Sequence, residues 1–228
     1  MMDISSLKPY HGYQSSIIPL TSGYYIYLAS WDKTPTEFSH FTNVWLITPE
    51  DERVLFADPP ASSPIVCLYH EFHEIYGATI TLDWISKNQL NVQCKSLDDR
   101  YNLNIDFQLE ETWASRLLVS LGGGPPTNFR LSKPMLAVSN FLLNILVAKK
   151  GSHLLGDTET GQPFYHGDTE KLFSVTGGSM SLNGDDIGTF THPTWRVEFG
   201  DAVPYYNPVL KLGTLFIPFE QNMLEKDA

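Results

Sequence analysis

The stretch TITLDWISKNQLNVQCKSLDDRYNLNIDFQL, residues 79–109, decides the fold class. Ile80, Leu82 and Trp84 alternate with Thr79, Thr81 and Asp83. Leu90, Val92 and Cys94 alternate with Asn91, Gln93 and Lys95. Leu103, Ile105, Phe107 and Leu109 alternate with Asn102, Asn104, Asp106 and Gln108. A period of two gives each run one apolar face and one wet face, the pattern of a half-buried strand. The breaks Ser86-Lys87-Asn88 and Asp98-Asp99-Arg100 are short and polar. Such breaks join neighbouring strands into an antiparallel meander.

Working outward, the pattern predicts strands at 24–29, 44–47 and 53–57, the last stopped by Asp58-Pro59-Pro60. Residues 65–75 read as one extended, apolar and aromatic run that Gly77 breaks or bends. Residues 1–22, with Pro9, Gly12 and Pro19, read as an irregular arm. Towards the C-terminus, Gly161 separates 154–158 from 164–166. The run 172–182 enters Asn183-Gly184, the strongest two-residue hairpin signal. Strands at 187–190, 195–199 and 209–216 complete the set.

Between the two β regions lies a loop, Gly-Gly-Gly-Pro-Pro at 122–126, and then the period changes. Ser132-Lys133-Pro134 reads as a helix start, and Lys149-Lys150-Gly151 as its stop. The apolar residues between are too few to span a bilayer, which takes about 20. Ser139, Asn140 and Asn144 do not make the basic face of a surface-lying helix. The expectation is therefore one domain, 1–228, mainly β: a closed or nearly closed antiparallel β-barrel with one main buried helix at about 133–149, packed against or plugging the β structure.

Composition narrows the function classes. The chain carries a net charge of −11 with only 15 Lys and Arg, so it lacks the cation clusters that nucleic acid requires. Aromatic residues make up 13% and suit a pleated, half-buried surface. Cys67 and Cys94 are no disulfide framework, and the first residues, MMDISSLKPYHGY, lack a basic-then-apolar signal. These readings predict a cytoplasmic chain without a transmembrane segment, and leave oligomerisation open.

The densest ionisable cluster is His70-Glu71-Phe72-His73-Glu74. In a strand, His70, Phe72 and Glu74 share one face, and Tyr69, Glu71 and His73 the other. A carboxylate–imidazole pair facing inward has shifted pKa values and can act as acid and base. The plainer alternative is a solvent-facing pair beside a hydrogen-bonded structural histidine. Asp157 and Glu159 form a second carboxylate pair, next to the turn glycine Gly161. Arg196, sharing a face with Glu198, either joins a cross-strand ion-pair network or binds a carboxylate in bidentate fashion. Candidate catalytic residues are therefore Glu71, His73, His70 and Glu74. Candidate ligand-binding residues are Arg196, Trp84 and Tyr69.

No metal and no cofactor are expected: His70 and His73 project from opposite faces of a regular strand, the remaining histidines are scattered without short ligand spacing, and Gly122-Gly123-Gly124-Pro125 lacks the Lys-Ser/Thr end of a phosphate loop. The lysines fall mostly in turns, termini and caps, which argues against an imine-forming lysine.

Two segments resemble the acetoacetate decarboxylase superfamily, whose members form a closed antiparallel β structure around an apolar pocket. Pro64-Ile-Val-Cys-Leu-Tyr-His-Glu-Phe72 is similar to that family's strand ending in an arginine, a glutamate and an apolar residue. Pro193-Thr-Trp-Arg-Val-Glu-Phe-Gly-Asp-Ala202 and Asn207-Pro208-Val209 are similar to its late strand. Together they cover under a quarter of the chain. The resemblance places Glu71 at a pocket glutamate. The Schiff-base lysine it implies several residues later is replaced by Glu74, Ile75, Tyr76, Gly77 and Ala78, and the nearest lysine is Lys87 in a turn. The segment Lys171–Gly184 also resembles the lipocalin-like halves of carotenoid hydratase-type proteins, and the two resemblances stand side by side. A β shell rich in Tyr, Trp and Phe with few inward-facing charges predicts a pocket that binds a small, largely apolar ligand with a carboxylate or carbonyl, and leaves open whether that ligand is also transformed, by isomerisation, cyclisation, hydration or decarboxylation. The rival expectation is a non-catalytic interaction or structural β domain whose aromatics fill the core. Whether the interior is hollow or filled discriminates the two.

Overall fold

The computed structural model describes residues 7–123, 129, 132–150, 153–194 and 197–220. The chain is mainly β. Twelve strands join one sheet: β1 (Leu7–Ser15), β2 (Ile18–Pro19), β3 (Tyr25–Lys33), β4 (Phe41–Ile47), β5 (Arg53–Asp58), β6 (Glu74–Ser86), β7 (Gln89–Ser96), β8 (Asn102–Glu110), β9 (Leu155–Asp157), β10 (Pro163–Leu182), β11 (Asp185–Thr189) and β12 (Val209–Pro218). Among the described residues three helices accompany them: α1 (Ser63–Cys67), α2 (Trp113–Gly123) and α3 (Lys133–Leu143). The last continues as a wider turn over Asn144–Ala148. None is long and apolar enough to cross a membrane.

The meander 79–109 forms in the expected register. Ile80 faces Cys94, Leu82 faces Val92, and Leu90, Val92 and Cys94 face Phe107, Ile105 and Leu103. Asn183 and Gly184 take positive φ (54° and 91°) and turn β10 into β11, as the hairpin signal demands. Hydrogen bonds close nine strands into a ring, β1-β12-β10-β8-β7-β6-β5-β4-β3 and back to β1. Every pairing in it is antiparallel except β5 with β6. One face of these strands builds a continuous cluster that includes Leu28, Val44, Phe56, Val92, Phe107 and Leu210, so the ring's interior is filled with side chains.

Several expectations are corrected. Of the arm read as irregular at 1–22, residues 1–6 lie outside the described residues, and the rest is ordered otherwise: Leu7–Ser15 is the strand that closes the ring, paired with β12 on one edge and β3 on the other. Gly12, read as a breaker, lies where β1 changes register against β3, and a Cβ there would fall 2.1 Å from the Ser30 carbonyl oxygen. Residues 65–75 are not one strand. Because β5 and β6 are parallel, the chain needs a crossover between them, and 60–73 supplies it. Pro60 and Pro64 each open a short helical turn, and Ile65, Val66, Leu68 and Tyr69 bury against the outer face of β3, β4 and β5. An apolar run of this length looks alike as a strand or as a buried helical crossover.

The helix at 133–149 is present but not buried. Leu136, Leu143, Val147 and Ala148 pack inward, whereas Val138, Phe141 and Ile145 are exposed. It is also not alone, since α2 lies beside it. The reading of 195–199 as a strand covers Trp195, outside the described residues; at Phe199 there is an isolated pairing with Ala202. The loop at 122–126 and the cap at Gly151 also lie partly or wholly outside the described residues.

Phe107, fully buried and edge-on to Phe190, tests the filled interior. Phe107→Ala should lose about 3–5 kcal/mol of unfolding free energy in urea titrations. Trp113→Ala, at an exposed position, should change it by about 0.5 kcal/mol or less. A loss at Phe107 no larger than at Trp113 would mean that the ring is not packed.

Candidate active site

The outward faces of β1, β12 and β10 carry the chemistry. On β12, Val209, Lys211, Gly213, Leu215 and Ile217 share that face; Gln14 on β1 and Leu172 on β10 lie directly opposite Lys211. Helices α2 and α3 cover this face without sealing it. Between them lies a cavity of about 340 Å³, walled by Ile17, Leu136, Leu142, Leu143, Leu172 and Val209, with Lys211 and His166 among its polar lining.

A local irregularity brings Lys211 and His166 together. From His166 to Leu172 β10 advances six residues while β12 advances four, from Leu215 to Lys211. The extra residues bulge outward and bend the strand. The bend depends on close backbone approach: a Cβ at Gly213 would fall 2.2 Å from the Asp168 carbonyl oxygen, and one at Gly167 would fall 2.3 Å from the Phe216 ring. Lys211 Nζ then donates to His166 Nδ1.

Both groups are enclosed by protein, and the surface they retain faces the cavity. Burial pushes the Lys211 amine down from its ordinary 10.5 to about 7. Burial, and then the neighbouring Lys211 charge, holds the His166 imidazole well below 6.5. Among the described residues no carboxylate forms an ion pair with Lys211, so nothing offsets the cost of its charge. Opposite Lys211, Gln14 Nε2 donates to the Tyr27 hydroxyl at 2.7 Å, while its buried Oε1 has no protein partner. Tyr205 also lines the cavity, its phenol pushed up to about 12 by burial.

A second, smaller cavity of about 100 Å³ adjoins the first and shares Gln14, Tyr27, Phe164 and His166 with it. Its wall is aromatic, with Trp31, Phe41, Trp45 and Tyr69. Asn43 Oδ1 and Trp45 Nε1 are buried in it without a protein partner. Buried polar atoms left unpaired are rare in folded proteins, and these line one space.

The sequence-derived site residues separate. His70 alone of the four acid–base candidates is buried. It sits against Trp45 at 4.8 Å between ring centres, with Nδ1 3.6 Å from Glu159 Oε2, and burial lowers its pKa. Glu159 also accepts from Arg53 and from the Glu71 amide at 3.0 Å. Burial pushes its carboxyl up, but His70, the Glu71 amide and Arg53 outweigh that and hold it below 4.5. The Glu71 side chain points to solvent. His73 is exposed and accepts from the Arg53 amide at 3.0 Å. Glu74 is exposed and accepts from the Tyr76 and Tyr101 hydroxyls at 2.5 and 3.4 Å. These four do not converge, because 68–73 is not a regular strand and its side chains do not alternate.

Tyr69 is buried, lines the small cavity and donates to the Pro218 carbonyl at 2.8 Å. Trp84 packs on Tyr13 and Phe173, residues of the ring's inner cluster, and touches neither cavity. Arg196 lies outside the described residues. No group of three His, Cys, Asp or Glu suited to a metal ion occurs among the described residues.

Lys211 was missed by reading lysines as turn, terminal and cap residues. The signal was present: within the expected strand 209–216, Lys211 shares a face with Val209 and Leu215, so alternation alone puts its amine against apolar neighbours. No family model, curated protein or solved structure matches this chain.

The site has a pH signature. Between pH 7 and 10.5 the unfolded chain holds a proton on Lys211 that the folded chain has released, so this group makes stability rise with pH across that window. The slope is at most about 1.4 kcal/mol per pH unit. Lys211→Met should therefore be more stable than wild type at pH 7, with the gap narrowing at pH 8 and 9 in urea titrations. A gap constant with pH would refute the burial of a titrating amine. On the acid side, His70 and His166 stay neutral in the folded state, so stability should fall as pH drops below 6.5.

Proposed function

We propose that this chain binds a small, largely apolar molecule carrying a carbonyl or a carboxylate, with its hydrocarbon in the larger cavity and its oxygen at Lys211 and His166. The observation that carries this reading is a buried amine that, among the described residues, has no carboxylate partner and lines a mostly apolar cavity. The cavity's volume, about 340 Å³, falls in the range of small-molecule sites, about 300–1,000 Å³. The ring, read as a closed and filled barrel, serves as a scaffold, and the ligand space lies on its outer wall. The filled interior is what the rival structural-module reading requires, but that reading gives no role to Lys211. Both cysteines are free thiols, which suits the cytoplasmic location expected.

An amine with a pKa near 7 offers two kinds of contact. Its protonated form pairs with a carboxylate. Its free form is a nucleophile made available by desolvation. In the second case the nitrogen lone pair attacks the carbonyl carbon of an aldehyde or ketone, and the first proton that nitrogen sheds passes through His166 to the carbonyl oxygen, giving a carbinolamine. The second proton from nitrogen passes the same way to the hydroxyl, the C–O bond breaks, and the oxygen leaves as water with both protons. The product is an imine on Lys211, with one water released and no redox change.

Two probes separate these cases. Octanal with borohydride should leave a reduced secondary amine on Lys211, located by peptide mass, and none in Lys211→Met. Octanoate should raise the melting temperature with the logarithm of its concentration above Kd, a gain of about 2.7 kcal/mol at a hundredfold excess over Kd. Neither an adduct nor a thermal shift with either probe would sink the reading.

A further inference from the structure

Helices α2 and α3 are apolar on two sides. Their inner stripes, Ala114 and Leu118 on α2 and Leu136 and Leu143 on α3, cover the cavity or pack beneath it. Their outer stripes are apolar as well. Trp113, Leu117 and Leu121 recur at helical spacing on α2, and Val138, Phe141 and Ile145 on α3 and its last turn. Trp113 is 67% exposed, Phe141 63% and Val138 54%. Scattered exposed apolar side chains are ordinary, but six aligned on two adjoining helices mark a contact surface. Leu121 and Val138 both line the cavity and reach the outside, so the patch is continuous with the cavity's mouth.

Charge identifies the occupant. From Thr112 to Lys150 the sequence carries five cations, Arg116, Arg130, Lys133, Lys149 and Lys150, and no Asp or Glu. The net charge of −11 is thus made of +5 in this stretch and −16 elsewhere. Arg116, Lys133, Lys149 and Lys150 are exposed beside the apolar stripes. Alone, the residues of α3 make no basic face; α2 and the two terminal lysines complete it. Apolar helix faces with an amphipathic Trp and a cationic rim are the chemistry of a protein lying on an anionic bilayer surface. The strongly acidic remainder is repelled by that surface and turns this face towards it.

We propose that α2 and α3 dock the protein on an anionic phospholipid surface, with the cavity mouth against the lipid. Trp113, Phe141 and Ile145 enter the interface, and Arg116, Lys133, Lys149 and Lys150 pair with lipid phosphates. That a lipid-dissolved ligand enters by this mouth rests on the cavity reading above; the docking does not.

The test is co-sedimentation of the full chain with sucrose-loaded vesicles of mixed phosphatidylglycerol and phosphatidylcholine, or of phosphatidylcholine alone. Binding is expected on the mixed vesicles and should fall about tenfold or more on the neutral ones and with added salt. Phe141→Glu, and separately Lys149→Glu with Lys150→Glu, should each release the protein while leaving its melting temperature and its response to octanoate unchanged. Absence of wild-type sedimentation with either vesicle overturns the proposal. So does sedimentation that both variants retain, which assigns lipid contact to another surface. A dimer in analytical ultracentrifugation that Phe141→Glu dissolves, without vesicle binding, also overturns it and makes the patch a self-interface. Octanoate binding without vesicle binding sinks docking alone, and the reverse sinks the cavity reading alone.

Discussion

Leu7–Ser15 is hydrogen-bonded along both edges, to β12 and to β3, and this double pairing closes the ring on which everything else is built. Closure removes two sheet edges that would otherwise template association. It also fixes a volume, and inner residues of the nine strands build one continuous apolar cluster within it. With its inside occupied, the ring carries both cavities on its outer wall. The crossover at 60–73, the bulged half of β10 and the pair α2 and α3 all stack on that wall. The cavities lie in the seam between wall and cover, where packing is set by segments that share no common register.

The seam is where polar groups are left poorly compensated. Lys211 has Val209 and Leu215 as same-face neighbours and a neutral imidazole as its partner. Isolated burial of this kind is costly for an ammonium, and the group responds by giving up its proton rather than by recruiting a counter-ion. The cluster of Arg53, Glu159 and His70 shows the opposite solution on the same wall. There a carboxylate is held ionised by a guanidinium and an amide that donate to it, with the His70 imidazole 3.6 Å away. The contrast separates the two clusters. The paired carboxylate ties the crossover to the turn at Glu159, whereas the amine lines an open space without a charged partner among the described residues.

How much of this was legible in the sequence depended on how local the determinant is. Alternation in 79–109 and the Asn183-Gly184 turn act within a hairpin, and both formed as read. The crossover at 60–73 did not, because an apolar run records burial but not the direction in which the chain must travel. That direction is imposed by β6 lying parallel to β5, a pairing that no residue in 65–75 encodes by itself. The same limit explains the site. His70, Glu71, His73 and Glu74 are dense in sequence, yet an irregular backbone sends three of them to solvent. His166 and Lys211 are distant in sequence and meet through a bulge in β10 that Gly167 and Gly213 permit. A helix read alone, as 133–149 was, also hides a face completed by a neighbour, here α2.

The position of the mouth ties these parts together. Closing and filling the ring leaves the cavities on the outer wall, and a cover over an outer wall must present its own far side to the surroundings. In a chain that is acidic elsewhere, the far side of α2 and α3 is apolar and rimmed by cations. Water solvates such a face poorly, so its composition would carry a standing cost in stability and solubility if solvent were its normal neighbour. Leu121 and Val138 contribute to that face and to the cavity lining at once. The same side chains thus join the cavity lining to the outer apolar patch. The amine lies on the cavity's inner wall, on β12, across from the helices that carry the patch, with the His166 imidazole as its polar partner.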